Sequence, residues 1–426
     1  MKTYRFPEKK DWKKLVQRPS MKKSALDSVV LGIIENVQAN GDRALRKYSA
    51  EFDGISITDF RVPESEIAAG AKQVPRDLKR AISLAKSNIE KFHRSQLVKE
   101  KPVETTPGVR CWRENVPIER AGLYVPGGTA PLFSSVLMLA IPAKVAGCGK
   151  IILSTPPAKN GKIDPVLLYA ASVTGVNEIY RVGGAQAIAA MAYGTKSIPA
   201  VDKIFGPGNQ YVTRAKQLVQ LDGVAIDMPA GPSEVLVIAD SRTRAEYVAA
   251  DLLSQAEHGI DSQVVLVTDY EPLIGEVENE LKEQIKDLPR KSIASEALEN
   301  SFTVLLRSGR ECMEFSNLYA PEHLIISTAD PIKMARSVKN AGSVFLGEYS
   351  CESAGDYASG TNHTLPTNGY SRSYSGVSLD SFMKKITFQE VSAKGLKNIG
   401  KAIELMAGAE QLAAHSNAVT VRLKNI

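Results

Sequence analysis

The sequence predicts an α/β protein with two Rossmann-like lobes, each built on a mostly parallel sheet. A small N-terminal arm and a C-terminal helical segment complete the predicted fold. From about residue 119 to residue 240, short β-branched runs alternate with helical runs, and the alternation resumes as far as residue 346. This rhythm is typical of parallel strands covered by helices on both faces. The length of 426 residues is sufficient for two such lobes.

The composition is that of an ordinary globular protein. Hydrophobic residues make up 43% and charged residues 23% of the chain, which excludes intrinsic disorder, and four cysteines are too few for a disulfide scaffold. The net charge is only +6 and no basic run occurs, so nucleic acid is not an expected partner. No apolar segment has the length of a membrane span, and the N-terminus lacks the apolar core of a signal peptide, which predicts a cytoplasmic protein.

Helices are predicted for most of the first part of the chain. Apolar residues recur at helical spacing over residues 24–51, with a break at Gly41, and again over residues 75–96. Residues 108–126 alternate between apolar and polar residues and predict two strands.

Beyond residue 126 the elements follow from the two periodicities of strand and helix. The predicted strands are 151–154, 178–182, 203–205, 234–239, 263–268, 302–306, 323–327 and 343–346. The predicted helices are 132–146, 164–173, 185–193, 212–219, 242–258, 271–287, 309–317 and 331–340. Residues 350–375 are rich in Gly, Ser, Asn and Tyr without periodicity, which predicts a functional loop. From residue 384 a helical segment is predicted, which ends in a strand-like tail, AVTVRL.

These elements group into four predicted units. They are an arm over 1–20, a composite lobe of 21–118 with 231–370, a Rossmann-like lobe over 119–230, and a C-terminal segment over 371–426.

Three predicted strand-to-helix junctions contain glycine and lie within the 119–230 lobe. Glycine allows close approach of a ligand, and the helix that follows directs free N–H groups toward it. Such junctions share the carboxyl edge of a parallel sheet, so together they predict a bound anionic cofactor, although any one of them could serve only to turn the chain. The G-x-G-x-x-G and P-loop motifs are absent, which argues against a kinase or ATPase. The turns are GLYVPGGTAPLFSS (122–135), RVGGAQAIAA (181–190) and KIFGPGNQYVTRAK (203–216).

Two pairs of polar residues are candidates for a site. Gln255 and His258 are three residues apart on one helix face, where they either coordinate the same metal ion or form a polar helix end. Glu322 and His323 stand at a strand start and suit general acid–base chemistry. Because neighbours in a strand point to opposite faces, this second pair shares a site only if the turn is irregular, and a plain loop-to-strand junction is the alternative.

The remaining histidines have weaker contexts. Asp356 and His363 lie in the glycine-rich loop, where oxygen and nitrogen donors suit Zn²⁺, and a solvated loop is the alternative. His415 follows Glu410 by five residues, which places the two well apart in angle on a straight helix. His93 has charged neighbours and is expected at the surface.

Taken together, these segments resemble the histidinol dehydrogenase family over nearly the whole chain, from about residue 24 to residue 424. The order and spacing of the motifs match, and no functional position of the family departs from its pattern. The most specific motifs are ERAGLYVPGG, VGGAQAIAA, DKIFGPGN, IDMPAGPSEVLVIAD, LLSQAEHG, PEHLI, ESAGDYASGTNH and AAHSNAVT.

The resemblance implies an oxidoreductase of histidine biosynthesis that oxidises L-histidinol to L-histidine through histidinaldehyde, with two NAD⁺ and one Zn²⁺ per subunit. It further implies an aldehyde-dehydrogenase-like arrangement of the lobes and an intertwined homodimer. In such a dimer the C-terminal segment of one subunit completes the site of the other.

The resemblance also assigns roles to individual residues. Glu322 and His323 correspond to the acid–base pair, in which we expect His323 to take the alcohol proton and Glu322 to activate water. The NAD contacts correspond to Tyr124, Gln186 and Asn209, one on each glycine turn. The zinc ligands correspond to Gln255, His258, Asp356 and His415. The substrate contacts correspond to those four ligands together with Ser233, His323 and Glu410.

Two alternatives remain at the level of sequence. One is a related zinc dehydrogenase that acts on another small hydroxylated compound, such as a sulfonated diol. Glu410 favours histidinol, because its counterpart in the family contacts that substrate. The other is a non-catalytic nucleotide-binding or assembly protein, which would have to retain the acid–base pair and the ligand set without using them.

Overall fold

The larger sheet is built from runs of hydrophobic residues that are buried on both faces, as parallel strands require. In the computed structural model, which describes residues 1–18, 23–127 and 131–426, its strands pair in parallel in the order β1, β11, β10, β9, β12, β13. They are β1 (Lys2–Arg5), β9 (Glu234–Ala239), β10 (Gln263–Thr268), β11 (Phe302–Leu305), β12 (His323–Ser327) and β13 (Ser343–Leu346). The predicted N-terminal arm thus contributes an edge strand.

The second parallel sheet belongs to the segment with the glycine turns. Its strands pair in the order β6, β5, β4, β7, β8. The chain therefore proceeds outward from β4 in one direction and then returns to the other side of β4, which creates a switch point where ligands bind in open α/β sheets. The strands are β4 (Arg120–Tyr124), β5 (Lys150–Thr155), β6 (Glu178–Arg181), β7 (Lys203–Phe205) and β8 (Ala225–Ile226). These two sheets confirm the predicted α/β fold with mostly parallel strands.

Helices cover both faces of the two sheets. On β9, Val235 and Val237 pack into one hydrophobic cluster and Leu236 and Ile238 into another, because alternate side chains leave a strand on opposite faces. The helices before the first glycine turn are α1 (Lys9–Leu15), α2 (Lys23–Asn40), α3 (Asp42–Tyr48), α4 (Glu64–Gln73) and α5 (Arg76–Arg94). Those of the second sheet are α6 (Phe133–Ala146), α7 (Pro165–Val173), α8 (Gly184–Tyr193) and α9 (Gln210–Leu221). The remaining helices are α10 (Ala245–Ala256), α11 (Pro272–Gln284), α12 (Lys291–Glu299), α13 (Gly309–Tyr319), α14 (Pro331–Ala335), α15 (Glu352–Tyr357), α16 (Ala393–Ala409) and α17 (Ala413–Leu423).

The C-terminal segment differs from its prediction. The helix expected from residue 384 begins only at α16, because Met383–Val391 forms strand β14. This strand pairs antiparallel with β3 (Val109–Pro117), which also pairs with β2 (Val103–Thr106). The tail predicted as a strand is the helix α17, which packs closely on α16. The close packing requires glycine at Gly400, where an added Cβ would crowd Leu423.

Smaller features also differ from their predictions. The helix expected over 331–340 ends at Ala335, α12 was not predicted, and the expected loop over 350–375 contains α15. His93 is fully buried rather than at the surface, and its Nδ1 lies 2.8 Å from the carbonyl oxygen of Ile89. The charged neighbours of His93 in sequence point away from the core, because they occupy other faces of α5.

No helix within the described ranges has both the length and the apolar character that crossing a membrane requires.

Candidate active site

Buried polar side chains gather where the start of β12 faces α10 and α15. Gln255, Glu322, His323, Glu352 and Asp356 are each at most 8% exposed. Because burial of polar groups costs free energy unless they find partners, such a concentration indicates a functional site rather than ordinary packing.

Glu322 and His323 share this site because the chain turns irregularly before β12. Ala320 has a φ of 55°, and Pro321 follows it. The carboxylate Oε2 of Glu322 consequently lies 3.7 Å from Nδ1 of His323. The backbone of Glu234 holds both side chains: its N–H donates to Glu322 Oε2 over 2.8 Å, and its carbonyl oxygen lies 3.2 Å from His323 Nδ1. The two adjacent side chains therefore face the same space.

Ligand atoms for a metal ion lie close together beside this pair. Those of His258, Glu352 and Asp356 all lie within 4.8 Å of one another. The amide nitrogen of Gln255 donates to His258 Nδ1 over 2.9 Å, so this side chain adjoins the group. The structure thus brings together Gln255, His258 and Asp356, three of the four residues expected to bind zinc.

The sequence analysis missed Glu352. In the sequence this residue lies in an expected loop, whereas in the structure it begins α15. Residues four apart share one helix face, so Glu352 and Asp356 point the same way. Their spacing in ESAGD was the available signal, but six helical residues are too few for periodicity to reveal the helix.

Several buried atoms of the cluster lack a hydrogen-bond partner, namely Gln255 Oε1, His323 Nε2, Asp356 Oδ1 and both carboxylate oxygens of Glu352. Buried polar atoms in folded proteins are normally paired. Carboxylate, amide oxygen and imidazole donors suit Zn²⁺ and similar divalent cations. The residues at this site therefore fit a bound divalent cation beside a polar substrate.

The electrostatics of the cluster depend on its burial and on its carboxylates. Burial raises the pKa of Glu322 to about 8. Burial would lower the pKa of His323, but the carboxylates of Glu352, Glu322 and Asp356 outweigh it and raise that pKa to about 10. Burial acts to raise the pKa of Asp356 as well, yet attraction to His323 and His363 prevails and lowers it. The cluster thus retains positive charge on His323 and negative charge on Asp356.

His363, for which the sequence predicted either a metal donor or a residue of a solvated loop, supports the position of Asp356. Its Nδ1 lies 3.1 Å from the carbonyl oxygen of Asp356, and its Nε2 lies 3.1 Å from Oγ of Ser135. His363 therefore connects α15 to α6, which belongs to the other sheet.

A small cavity between the two sheets opens beside the cluster. Ser233 lines it together with Glu322 and His363 from the side of the larger sheet, and Gly206 lines it at the carboxyl end of β7. The cavity thus joins the amino edge of the larger sheet to the carboxyl edge of the smaller one. A ligand held there would contact both lobes.

The glycine turns lie at the carboxyl ends of β4, β6 and β7, and residues 128–130 of the first turn lie outside the described residues. The hydroxyl of Tyr124 accepts a hydrogen bond from Gly184 N–H over 3.0 Å. Gln186 is buried, and its Oε1 has no hydrogen-bond partner. Asn209 caps α9, because its side-chain oxygen accepts from the N–H groups of the two residues at 211 and 212, each over 3.1 Å. Tyr124 and Asn209 thus have structural roles here.

Glu410 and His415 are not part of the cluster within a single chain. Both are exposed. Glu410 follows the end of α16 and His415 lies in the first turn of α17, and these two helices pack chiefly on each other. Apolar side chains near Glu410 are also exposed: Leu405 by 62%, Met406 by 67% and Leu412 by 42%. An apolar face of this kind is typical of a surface that another protein covers.

Comparison with known proteins identifies close relatives. Residues 16–423 match the profile of the histidinol dehydrogenase family. The chain is 58% identical to the histidinol dehydrogenase of Bacteroides fragilis over 426 residues, which cover 100% of both chains. It is 51% identical to the histidinol dehydrogenase of Escherichia coli over 414 residues, 96% of this chain and 94% of that one. A crystal structure of histidinol dehydrogenase from Elizabethkingia anophelis has a TM-score of 0.97 at 57% identity, covering 100% of this chain and 98% of that chain.

Proposed function

The chain belongs to the histidinol dehydrogenase family, and from this premise we propose that it is an oxidoreductase that converts L-histidinol to L-histidine through histidinaldehyde. The reaction uses two NAD⁺ and a zinc ion and completes histidine biosynthesis in the cytoplasm. The observation that carries this proposal is the buried cluster, in which an acid–base pair, Glu322 and His323, adjoins metal-ligand atoms that lack hydrogen-bond partners.

The metal site consists of Gln255, His258 and Asp356, with His415 as the fourth ligand and Glu352 beside them. Binding of a cation to both Gln255 and His258 would replace the hydrogen bond that now joins them. Bound zinc supplies orientation, because histidinol offers an imidazole nitrogen and an amine, which are both good zinc ligands.

In the first oxidation His323 takes the hydroxyl proton of histidinol, and bound NAD⁺ would accept the hydride. A protonated His323 could not take this proton. Two of the carboxylates that raise its pKa, Glu352 and Asp356, are at the proposed metal site, where a cation would neutralise them. A cation bound there would therefore lower the pKa of His323 toward the range in which it accepts a proton. Ser233, on the cavity wall, contacts the substrate.

In the second oxidation Glu322 takes a proton from a water molecule that adds to the aldehyde carbonyl. A second NAD⁺ would accept the hydride of the hydrated aldehyde, which leaves the carboxylate of histidine. The glycine turns bind NAD through Tyr124, Gln186 and Asn209. The turns after β4 and β7 flank the switch point of the smaller sheet, and Gly206 of the latter turn lines the cavity, which supports this assignment.

We further propose a homodimer in which Glu410 and His415 complete the site of the partner subunit. The exposure of both residues, together with the exposed apolar face of α16 and the loop that follows it, supports this arrangement. Glu410 then binds the histidinol, and His415 joins the metal ligands from the other chain.

The stoichiometry of the reaction tests the proposed function. With limiting L-histidinol and excess NAD⁺, we expect two NADH per histidinol and histidine as the product, measured by absorbance and by mass spectrometry. Release of only one NADH would mean that the reaction stops at the aldehyde. A sulfonated diol serves as the comparison substrate, and faster oxidation of the diol would reassign the substrate.

Removal of a metal ligand should remove bound zinc together with activity. For Gln255→Ala, His258→Ala and Asp356→Ala we expect zinc affinity to fall by more than the roughly 10- to 100-fold that loss of an outer partner costs. Zinc per chain, measured by mass spectrometry after dialysis, checks this expectation. Glu257→Gln is the matched control, because Glu257 is adjacent to His258 but lies outside the cluster. A variant that lost activity and kept its zinc would not have lost a ligand.

A further inference from the structure

A buried ion pair joins the N-terminal arm to the start of β9. Nε of Arg18 donates to Glu234 Oε1 over 2.9 Å, and its Nη2 donates to Glu234 Oε2 over 2.8 Å. The Arg18 side chain is 8% exposed and that of Glu234 is 2% exposed. A two-point contact between a planar guanidinium and a carboxylate fixes orientation as well as distance.

Further contacts hold this ion pair in place. Nη1 of Arg18 donates to the carbonyl oxygen of Tyr319 over 2.8 Å, and the guanidinium carbon lies 3.5 Å from the centre of the Tyr319 ring. The ring is fixed in turn, since its hydroxyl donates to Gln263 Oε1 over 2.8 Å. On the other side, the backbone N–H of Asn368 donates to Glu234 Oε1 over 2.9 Å. Arg18 therefore connects the arm, the end of α13 and the start of β9.

This network reaches the acid–base pair by two routes. The backbone N–H and carbonyl group of Glu234 are the groups that hold Glu322 and His323. Tyr319, which Arg18 contacts, immediately precedes the irregular turn that leads to Glu322. A shift of Arg18 would therefore displace both the backbone of Glu234 and the turn after Tyr319, which together position Glu322 and His323.

We propose that Arg18 and Glu234 are positioning residues that fix the orientation of Glu322 and His323 for proton transfer. This inference rests on the proposed function, in which that pair moves protons. Stability alone is a poor explanation for the ion pair, because a well-packed apolar pair of similar volume commonly stabilises a buried site equally well. An apolar pair, however, would lack the two-point contact that fixes the distance and orientation of Glu234 relative to Arg18.

Kinetics of Arg18 variants test the proposal. For Arg18→Ala we expect kcat for histidinol to fall by roughly 100-fold, because a misplacement of catalytic groups by about 1 Å lowers the rate by this factor. We expect KM to change by less than about threefold. The solvent deuterium isotope effect on kcat should rise, since proton transfer then limits the rate. Added guanidinium ion at concentrations below those that denature the protein should restore part of kcat. Arg18→Lys, which keeps the charge but not the two-point contact, should be intermediate.

The matched control is Arg120→Ala, which removes a two-point ion pair with Asp202 at 3.3 and 2.6 Å, at the amino edge of the smaller sheet and opposite the edge that borders the cavity. We expect kcat to stay unchanged in this variant. Wild-type kcat in Arg18→Ala, or a loss that matches the unfolded fraction with an unchanged isotope effect, would overturn the positioning role. If Arg18→Ala does not fold, the kcat and the solvent deuterium isotope effect of Arg18→Lys test the positioning role instead. If instead Glu322→Gln and His323→Asn both retain full activity, it is the proposed function that fails.

Discussion

Mixing two variants that form almost no histidine, Glu322→Gln and His415→Ala, should restore histidine formation to about one quarter of the wild-type rate, because a homodimer has two-fold symmetry. Glu322 lies in the buried cluster, whereas His415 is exposed on the C-terminal segment of the same chain. If each site combines the cluster of one subunit with the segment of the other, a hybrid dimer contains one site with both changes and one site with neither. About half of randomly mixed dimers are hybrids, so about a quarter of all sites are intact.

Co-expression with two different affinity tags allows the hybrid to be purified and its rate measured directly. The control is a mixture of Glu322→Gln with Gln255→Ala, which both change the cluster, so every hybrid site carries one change and stays inactive. A hybrid of Glu322→Gln and His415→Ala without activity would show that the C-terminal segment does not complete the partner's site.

Glu322→Gln alone should separate the two oxidations. Glutamine retains an oxygen that can accept the hydrogen bond from Glu234 N–H, but it cannot take a proton from water. We therefore expect oxidation of histidinaldehyde to fall by about 10²- to 10⁴-fold, the usual contribution of one positioned acid or base, and oxidation of histidinol to fall far less. Single-turnover NADH formation from each substrate measures the two steps independently.

The reciprocal variant, His323→Asn, should impair oxidation of histidinol because it removes the group that takes the hydroxyl proton. Equal losses in the two steps for Glu322→Gln would contradict the division of roles between the two residues. Rates are compared per bound zinc, so that altered metal binding is not mistaken for loss of proton transfer.

The features predicted correctly are those that a short stretch of sequence determines. The hydrophobic runs of β9 and β10 are buried on both faces, and this is what makes such strands recognisable without their neighbours. The predictions that failed depend on distant partners. Strand β14 is exposed along most of its length and exists because β3, some 270 residues earlier, pairs with it. His93 is buried because it lies on the side of α5 that faces the core, although its charged neighbours in sequence suggested a position at the surface.

The sequence by itself determined the two-lobed parallel architecture, the glycine turns and, through its long motifs, the family and its candidate residues. Only the tertiary structure decided which of these residues meet. His258 and Asp356, almost a hundred residues apart, come together because α10 and α15 lie beside the start of β12, and the same packing adds Glu352. Periodicity reports which way a side chain leaves its own helix or strand, whereas a site depends on how those elements pack against one another. For the same reason the roles proposed for Glu410 and His415, which are both exposed on the single chain, depend on the proposed second subunit.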